Sequence, residues 1–166
     1  MNIDRILAAG TLLAGALLIS ACQAQSPDDD NEAASTSASH AMTVYHDPNC
    51  GCCGKWIDHM EQHGFTVESV HESNMSAIKR ELGVPENLPS CHTATVGGYV
   101  IEGHVPADDV MKLLDERPDA KGLSVPGMPL GSPGMEYNNQ RQAYDVVLFD
   151  DAGGASVFNH YPAQLD

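Results

Sequence analysis

From residue 42 onward, the chain is divided into short stretches in which apolar and polar residues alternate. A period of two residues predicts β-strands that bury one face. Glycine, proline, asparagine or aspartate ends most of these stretches, as is typical of turns. The predicted strands cover residues 42–46, 65–70, 93–96, 99–101, 144–149 and 155–158. Gly97 and Gly98 separate the third strand from the fourth and predict a hairpin there.

Three other stretches carry apolar residues at the three- and four-residue spacing of an amphipathic helix. Gly64 is suited to the position just after the first helix, Asn74 can cap the second, and Pro106 opens the third. The apolar positions are Trp56, Ile57 and Met60, then Met75, Ile78 and Leu82, and finally Val110, Leu113 and Leu114.

These elements follow the order β-α-β-α-β-β-α, which is that of the thioredoxin and glutaredoxin folds. We therefore expect an α/β, thioredoxin-like fold of three layers. Residues 122–136, the glycine–proline segment, contain so much glycine and proline that we expect neither helix nor strand in it. This segment and a final β-hairpin at 144–158 would extend the fold at its C-terminus.

The N-terminus predicts export. Residues 1–21 resemble a lipoprotein signal peptide, because their apolar run is too short to cross a bilayer comfortably and leads directly to Cys22. We expect cleavage before Cys22 and acylation of its sulfur; an ordinary secretory signal is the alternative. Residues 22–41 are small and polar and predict a flexible linker, so residues 42–166 would form the single metal-binding domain. Gln23 favours a periplasmic protein anchored by lipid to the outer membrane.

The charge balance excludes one class of partner. The chain has 23 acidic and 8 basic residues, a formal net charge of −15 at pH 7. Binding of nucleic acid is excluded because no row of cations is present to neutralise phosphates. The acidic surface indicates solubility and not a specific partner.

Three cysteines within four residues are the most unusual feature of the sequence: Cys50, Cys52 and Cys53. They lie between the first strand and the first helix, where the helix N-terminus stabilises thiolates. In a thioredoxin-like fold, Pro89 before the third strand would bring Cys91 close to them. Such crowding favours a soft metal ion or thiol exchange over a structural cross-link, although one reversible disulfide is compatible with it.

Copper(I) is the metal that this cluster favours. Soft sulfur ligands select copper(I), zinc or iron–sulfur clusters. Zinc sites usually use ligand pairs separated by two or more residues, a spacing that we take the motif to lack. Thiolates that bridge more than one copper(I) ion fit Cys-Gly-Cys-Cys more easily. The same spacing counts against a pair of redox-active cysteines that form an unstrained disulfide.

Four further side chains are candidates for completing or shielding the site: His92, His104, Met128 and Met135. His92 is the strongest of them because it directly follows Cys91. The methionines lie in the glycine–proline segment, and thioethers bind copper(I) but are poor zinc ligands. A purely steric role for them remains open. His46, at the end of the first strand, is a weaker candidate.

Four separated motifs resemble one known family: YHDPNCGCCGKW at 45–56, PSCHTA at 89–94, EGHVPA at 102–107, and VPGMP followed by GME within 125–136. The resemblance is to the CopG-type periplasmic copper-resistance proteins, a family with a domain of unknown function. It covers nearly all of residues 42–161. It implies a thioredoxin-like fold with a copper(I)–thiolate cluster and a role in envelope copper handling. The implied sulfur ligands are Cys50, Cys52, Cys53 and Cys91.

The leading hypothesis is an envelope protein that holds copper(I) in a multi-cysteine cluster for copper resistance and that cycles electrons through it. Copper ions and other envelope copper-handling proteins are the expected partners. Two alternatives stay open: a thiol–disulfide oxidoreductase that uses the Cys-Gly-Cys-Cys motif, and a zinc-stabilised scaffold. The sequence leaves open whether the protein is an enzyme.

Overall fold

The computed structural model describes residues 40–165. They form three helices and a seven-stranded sheet, so the predicted α/β class and the order of elements through the third helix are confirmed. In chain order the elements are β1 (Ala41–His46), α1 (Gly51–Gln62), β2 (Thr66–His71), α2 (Met75–Leu82), β3 (Thr93–Val96), β4 (Tyr99–Glu102), α3 (Ala107–Glu116), β5 (Gly122–Ser124), β6 (Tyr144–Phe149) and β7 (Ala155–Tyr161).

The strands are arranged in the order β2-β1-β3-β4-β5-β6-β7. β1 runs parallel to β2, and β4 runs parallel to β5. The other neighbouring strands are antiparallel, including the final hairpin of β6 and β7 that the sequence predicted. The thioredoxin-like description of this arrangement stays a prediction.

β5 corrects the expectation that the glycine–proline segment contains no strand. Gly122–Ser124 is fully buried and pairs with β4 on one side and β6 on the other. Gly122 is required there because a Cβ at this position would overlap the carbonyl oxygen of Val100. The glycine at this position therefore favours the strand, because it allows the backbones of β4 and β5 to approach closely.

Both faces of the sheet are covered. Val100 and Ile101 are neighbours in β4 and point to opposite faces, and they belong to two separate hydrophobic clusters. The larger cluster contains Trp56 of α1 and Leu113 of α3, whereas Leu82 of α2 packs against the smaller one. α1 and α3 therefore cover one face and α2 covers the other, which gives the three layers expected from the sequence.

The ends of the helices agree with the local sequence signals. The Asn74 side chain accepts a hydrogen bond from Ala77 N at 3.2 Å, and Gly83 ends α2 with a φ of 78°. Gly64 follows α1 with a φ of 89°. Cys50 is the N-cap residue of α1 and makes no capping hydrogen bond through its side chain. The start of α1 is therefore formed by cysteines and not by an oxygen-bearing cap.

Several predictions concern residues outside the described part of the chain. They are the signal peptide at 1–21, the lipidation of Cys22 and the linker as far as residue 39. The linker was expected to extend to residue 41, but Ala41 is already the first residue of β1. Within residues 40–165, no helix combines the length and the apolar character needed to cross a membrane.

Candidate metal centre

The site is built where β1 passes into α1. Tyr45 of β1 pairs with Thr93 of β3, so the end of β1 lies beside the start of β3. In the turn that follows, Cys50 N donates a hydrogen bond to the Asp47 carbonyl at 3.0 Å. This turn places one cysteine at the N-cap of α1 and two in its first turn. Cys91 lies two residues before β3 and is brought to the same place by the sheet.

Four sulfur atoms meet at this point. The Sγ atoms of Cys50, Cys52, Cys53 and Cys91 all lie within 4.8 Å of one another. Cys52 Sγ is 3.6 Å from Cys50 Sγ, and Cys91 Sγ is 3.6 Å from Cys53 Sγ. The structure thus brings together the cysteines that the sequence singled out, in a geometry that can present several soft ligands to one small volume.

Cys50 and Cys53 are joined by a disulfide bond, whereas Cys52 and Cys91 are free thiols. Two residues separate the bonded cysteines, so the expectation that the motif lacks such a gap is wrong. One helical turn brings the first and last cysteine together because residues three apart are neighbours on a helix. The spacing therefore counts neither against a redox pair nor against zinc.

Two histidines form the inner side of the site. His104 Nε2 lies 3.1 Å from Cys91 Sγ, and His92 Nδ1 lies 3.2 Å from the same sulfur. Both imidazoles are buried. Together with Cys91 they form a second group of candidate ligands within 4.8 Å of one another. Cys91 is common to the two groups and joins them into one centre.

The glycine–proline segment sets the orientation of His104. Its Nδ1 lies 2.8 Å from the carbonyl oxygen of Pro133. Because a carbonyl only accepts hydrogen bonds, Nδ1 carries the proton, and in the neutral ring Nε2 presents its lone pair to Cys91. Burial lowers the pKa of His104, although the hydrogen bond to Pro133 and the charge of Glu136 oppose the shift. The neutral form, which binds metals, is therefore favoured.

His92 lies entirely inside the protein, with its ring centroid 4.4 Å from that of Trp56. Burial, followed by the nearby charges of His104 and Lys79, lowers its pKa well below the usual histidine value. Among residues 40–165, its Nε2 is the one buried side-chain nitrogen or oxygen without a hydrogen-bond partner. An unpaired buried polar atom costs free energy, whereas the ring nitrogen that faces Cys91 is Nδ1.

The free thiol of Cys91 is strongly held in its protonated form. Burial raises its pKa to about 12, and the neighbouring Cys52 adds to the shift. A coordinated metal ion reverses this preference because a metal-bound thiol is deprotonated. We therefore expect metal binding at this site to release a proton from Cys91.

The glycine–proline segment holds the site from two sides. Gly127 N donates to the carbonyl of Pro89 at 2.9 Å, and Ser90 Oγ donates to the carbonyl of Gly127. At the other end, Gly134 packs so closely on α1 that a Cβ would lie 2.8 Å from the carbonyl oxygen of Cys52. The segment thus ties the loop before β3 to the first turn of α1.

Each of the two methionine candidates directly follows one of the glycines that make these contacts. Met128 directly follows Gly127, and the residue is 53% exposed. Met135 directly follows Gly134 and is partly buried, and its backbone N donates to the carbonyl of Ser132 at 2.8 Å. Their roles as ligands or as shields stay proposals.

The remaining histidines are placed elsewhere. His46 uses its ring nitrogens on Ser69 Oγ at 2.8 Å and on the Asp47 carbonyl at 3.0 Å, and it is in neither group of candidate ligands. His59 accepts a hydrogen bond from Ala107 N at 3.2 Å, at the start of α3. Three others are exposed: His63, His71 and His160.

The sequence did not reveal a buried ion pair behind Cys91. Glu102 ends β4 with a fully buried side chain, and Lys79 Nζ lies 2.6 Å from its Oε1. Ser90 N donates to the same oxygen at 2.5 Å. The signal that could have found this network is a carboxylate in an otherwise apolar strand, because fully buried carboxylates are almost always paired.

Two solved structures of a copper resistance protein CopG, described as form 1 and form 2, resemble this chain. Each is 52% identical to it, with a TM-score of 0.71. The likeness covers 74% of this chain and 97% and 98% of the two structures.

The model of a family described as a protein of unknown function, DUF411, matches residues 88–135, which include Cys91 and His104. No protein among those with curated descriptions matches the chain. The identity with the two solved structures, over nearly their whole length, confirms the family expected from the four motifs. The chain belongs to the CopG family of copper resistance proteins.

Proposed function

We propose that the protein binds copper(I) through Cys50, Cys52, Cys53 and Cys91 and thereby serves copper resistance. The observation that carries the proposal is the meeting of four sulfur atoms within 4.8 Å at the start of α1. The likeness to copper resistance protein CopG supports copper as the metal.

The chemistry of the ligands favours copper in its reduced state. Thiolates are soft ligands, and copper(I) tolerates two- and three-coordinate sites, so bridging sulfurs can hold more than one ion. His92 and His104 are kept neutral by burial and can supply nitrogen ligands at the inner side. Met128 and Met135 are the candidates for completing or shielding the opposite side.

The disulfide couples this function to reduction. While Cys50 and Cys53 are bonded, Cys52 and Cys91 are the two thiols left among the four clustered cysteines. A dithiol reductant would break the bond with two electrons and two protons, leave two further thiols and itself become a disulfide. Copper(I) binding then displaces the thiol protons to solvent, so that four thiolates can serve as ligands. Reduction is therefore expected to raise the number of copper(I) ions bound, and it gives the site a redox-active form.

We also propose that the protein works in the cell envelope, attached to the outer membrane by lipid on Cys22. The supporting observations are the signal-like residues 1–21 and the polar stretch 22–41. Other envelope copper-handling proteins would be its partners. Membrane fractionation of cells that express the wild-type chain and Cys22→Ser tests this: the variant should leave the membrane fraction, and unchanged distribution would contradict lipid anchoring.

Copper binding is tested by anaerobic titration of the reduced full chain with copper(I) against a competing chelator. Cys22→Ser is the matched control because it removes a cysteine outside the cluster. We expect more than one copper(I) ion per chain in the control and fewer in Cys52→Ser/Cys53→Ser. A stoichiometry below one, or equal binding by the double variant, would defeat the proposal.

A thiol–disulfide oxidoreductase is the second candidate, favoured by the Cys50–Cys53 bond. A Cys50 thiolate would attack a substrate disulfide, form a mixed disulfide and release one substrate thiolate. Cys53 would then attack the Cys50 sulfur, restore the bond and release the second thiolate. Turnover of a disulfide peptide with a dithiol reductant tests this, and Cys53→Ser should accumulate the mixed disulfide. Absence of turnover by the metal-free protein removes this candidate.

A further inference from the structure

Glu102 has a buried carboxylate close to the metal centre, and both of its oxygens accept hydrogen bonds. The Glu102 side chain is 0% exposed and that of Lys79 is 14% exposed. Oε1 accepts hydrogen bonds from Lys79 Nζ at 2.6 Å and from Ser90 N at 2.5 Å. Oε2 accepts from Thr93 Oγ1 at 2.7 Å. The network lies on the α2 side of the sheet and contains none of the candidate metal ligands.

Two of these donors flank the candidate ligands in the sequence. Ser90 directly precedes Cys91, and Thr93 directly follows His92. The carboxylate therefore holds both ends of a four-residue segment whose two middle residues belong to the metal centre. A backbone hydrogen bond of 3.0 Å from Gly103 N to the His92 carbonyl adds a third attachment.

The same stretch of chain also carries His104 to the site. Gly103 has a φ of 74°, and a Cβ there would overlap the Ser90 side chain. Only glycine lets the two segments approach so closely. Three consecutive residues thus act together: Glu102 holds the segment, Gly103 permits its approach, and His104 places Nε2 3.1 Å from Cys91 Sγ.

Stability alone does not explain a buried ion pair here. Replacing such a pair by apolar residues of similar volume is often neutral or stabilising, because burying charges removes them from water. An apolar pair would fill the space but would leave Ser90 N and Thr93 Oγ1 without their acceptor. We infer that Glu102, neutralised by Lys79, is a positioning residue that holds Cys91 and His92 in the geometry needed for metal binding. This inference rests on the proposed function.

Two double variants separate the hydrogen bonds from the charges. Lys79→Met/Glu102→Leu removes both charges and the acceptor of Ser90 N. Lys79→Met/Glu102→Gln removes both charges but keeps a carbonyl oxygen for that donor. In copper(I) titration with a competing chelator, the leucine variant should bind more weakly, by up to about the 10–100-fold that is typical when a group hydrogen-bonded directly to a ligand is lost. The glutamine variant should bind with nearly wild-type affinity.

A readout without metal accompanies the titration. Amide hydrogen exchange at Ser90 in the metal-free chain should be fast in the leucine variant and slow in the glutamine variant and the wild type. If the leucine variant does not fold, Thr93→Val decides. It keeps the shape of the side chain but removes the donor to Glu102 Oε2 and the acceptor of a hydrogen bond from Lys79 Nζ. Weaker copper(I) binding by Thr93→Val supports the inference, and unchanged binding overturns it.

The result that overturns the positioning role is wild-type copper(I) affinity in a folded leucine variant. That result leaves the proposed function intact. Failure of the wild-type chain to bind copper(I) would instead defeat the proposed function, so the two failures are distinguishable.

Discussion

His104 Nε2 lies 3.1 Å from Cys91 Sγ, although the two residues are thirteen positions apart. The hairpin of β3 and β4 explains this contact, because Thr93 pairs with Glu102 and the residues beyond this pair meet. The same sulfur lies 3.6 Å from Cys53 Sγ in α1. Cys91 is therefore the residue through which the cysteines at the start of α1 and the histidines next to the β3–β4 hairpin form one centre.

Cys91→Ser should reduce copper(I) affinity by more than about tenfold. Loss of a ligand should cost at least as much as loss of a group that only hydrogen-bonds to a ligand. A serine oxygen is a hard ligand and does not replace a soft thiolate for copper(I). Cys22→Ser serves as the control, since it also removes one cysteine but not one of the four clustered cysteines. Titration against a competing chelator measures both. Equal affinities in the two variants would contradict the assignment of Cys91.

The disulfide predicts a specific count of thiols. Metal-free Cys22→Ser protein kept in air should contain two free thiols, those of Cys52 and Cys91, and four after reduction. Alkylation followed by mass spectrometry measures the count and identifies the linked peptides. A bond from Cys91 to any cysteine of α1, in place of Cys50–Cys53, would show that the oxidised form is a different one.

Gly134→Ala should destabilise the protein more than Gly153→Ala. Both glycines have positive φ, 82° and 87°, so each substitution incurs the backbone cost of about 1–2 kcal/mol for a left-handed residue. A Cβ at Gly134 would in addition lie 2.8 Å from Cys52 O and 2.9 Å from Trp56 N, whereas one at Gly153 meets open space. Urea unfolding compares the two variants.

The same pair tests whether the glycine–proline segment supports the site. Gly134→Ala should also weaken copper(I) binding, because the displaced segment carries the Pro133 carbonyl that orients His104. Gly153→Ala should bind like the wild type. Identical unfolding free energies and identical affinities would show that the contact with α1 has no role.

The stability of the metal-free domain should fall as the pH drops below about 6.5, the ordinary histidine pKa. Burial lowers the pKa of His92 and His104 in the folded state, so the unfolded chain takes up more protons in this range. Their contribution to stability is therefore present above the unfolded pKa and is lost as the pH falls towards the folded values.

Urea unfolding at pH 7.5 and 5.5 measures this loss. Carboxylates contribute to the same trend, so variants are needed to isolate the histidine effect. His92→Phe should lose less stability between the two pH values than the wild type does. The control His71→Phe, at an exposed site, should lose as much stability as the wild type. An equal pH dependence in His92→Phe and the wild type would contradict the buried, neutral state of His92.

Much of the fold was predictable because each local signal agrees with the packing around it. Asn74 caps α2, Gly64 follows α1, and the strand periodicity matches a sheet covered on both faces. β5 was missed because its glycine is explained by a neighbour distant in sequence, the backbone of Val100. Close approach of two chain segments leaves no local pattern.

The candidate site shows the same limit. The cysteines and His92 and His104 carry obvious chemistry, and the sequence identified them. One reversible disulfide was left open, but its pairing was not predicted, because three neighbouring cysteines allow several pairings and the start of α1 decides which sulfurs meet. Glu102 was missed because a carboxylate at the end of a short strand is usually exposed, and its partners, Lys79 and Ser90, lie on other elements.

The central claim is that the sulfur atoms of Cys50, Cys52, Cys53 and Cys91 bind copper. Metal analysis combined with X-ray absorption tests this claim most directly. The sample is the full chain purified without added chelator from cells grown with copper. We predict more than one copper ion per chain, each in the reduced state and with sulfur as its main neighbour. Zinc as the bound metal, or copper surrounded only by nitrogen and oxygen, would contradict the account.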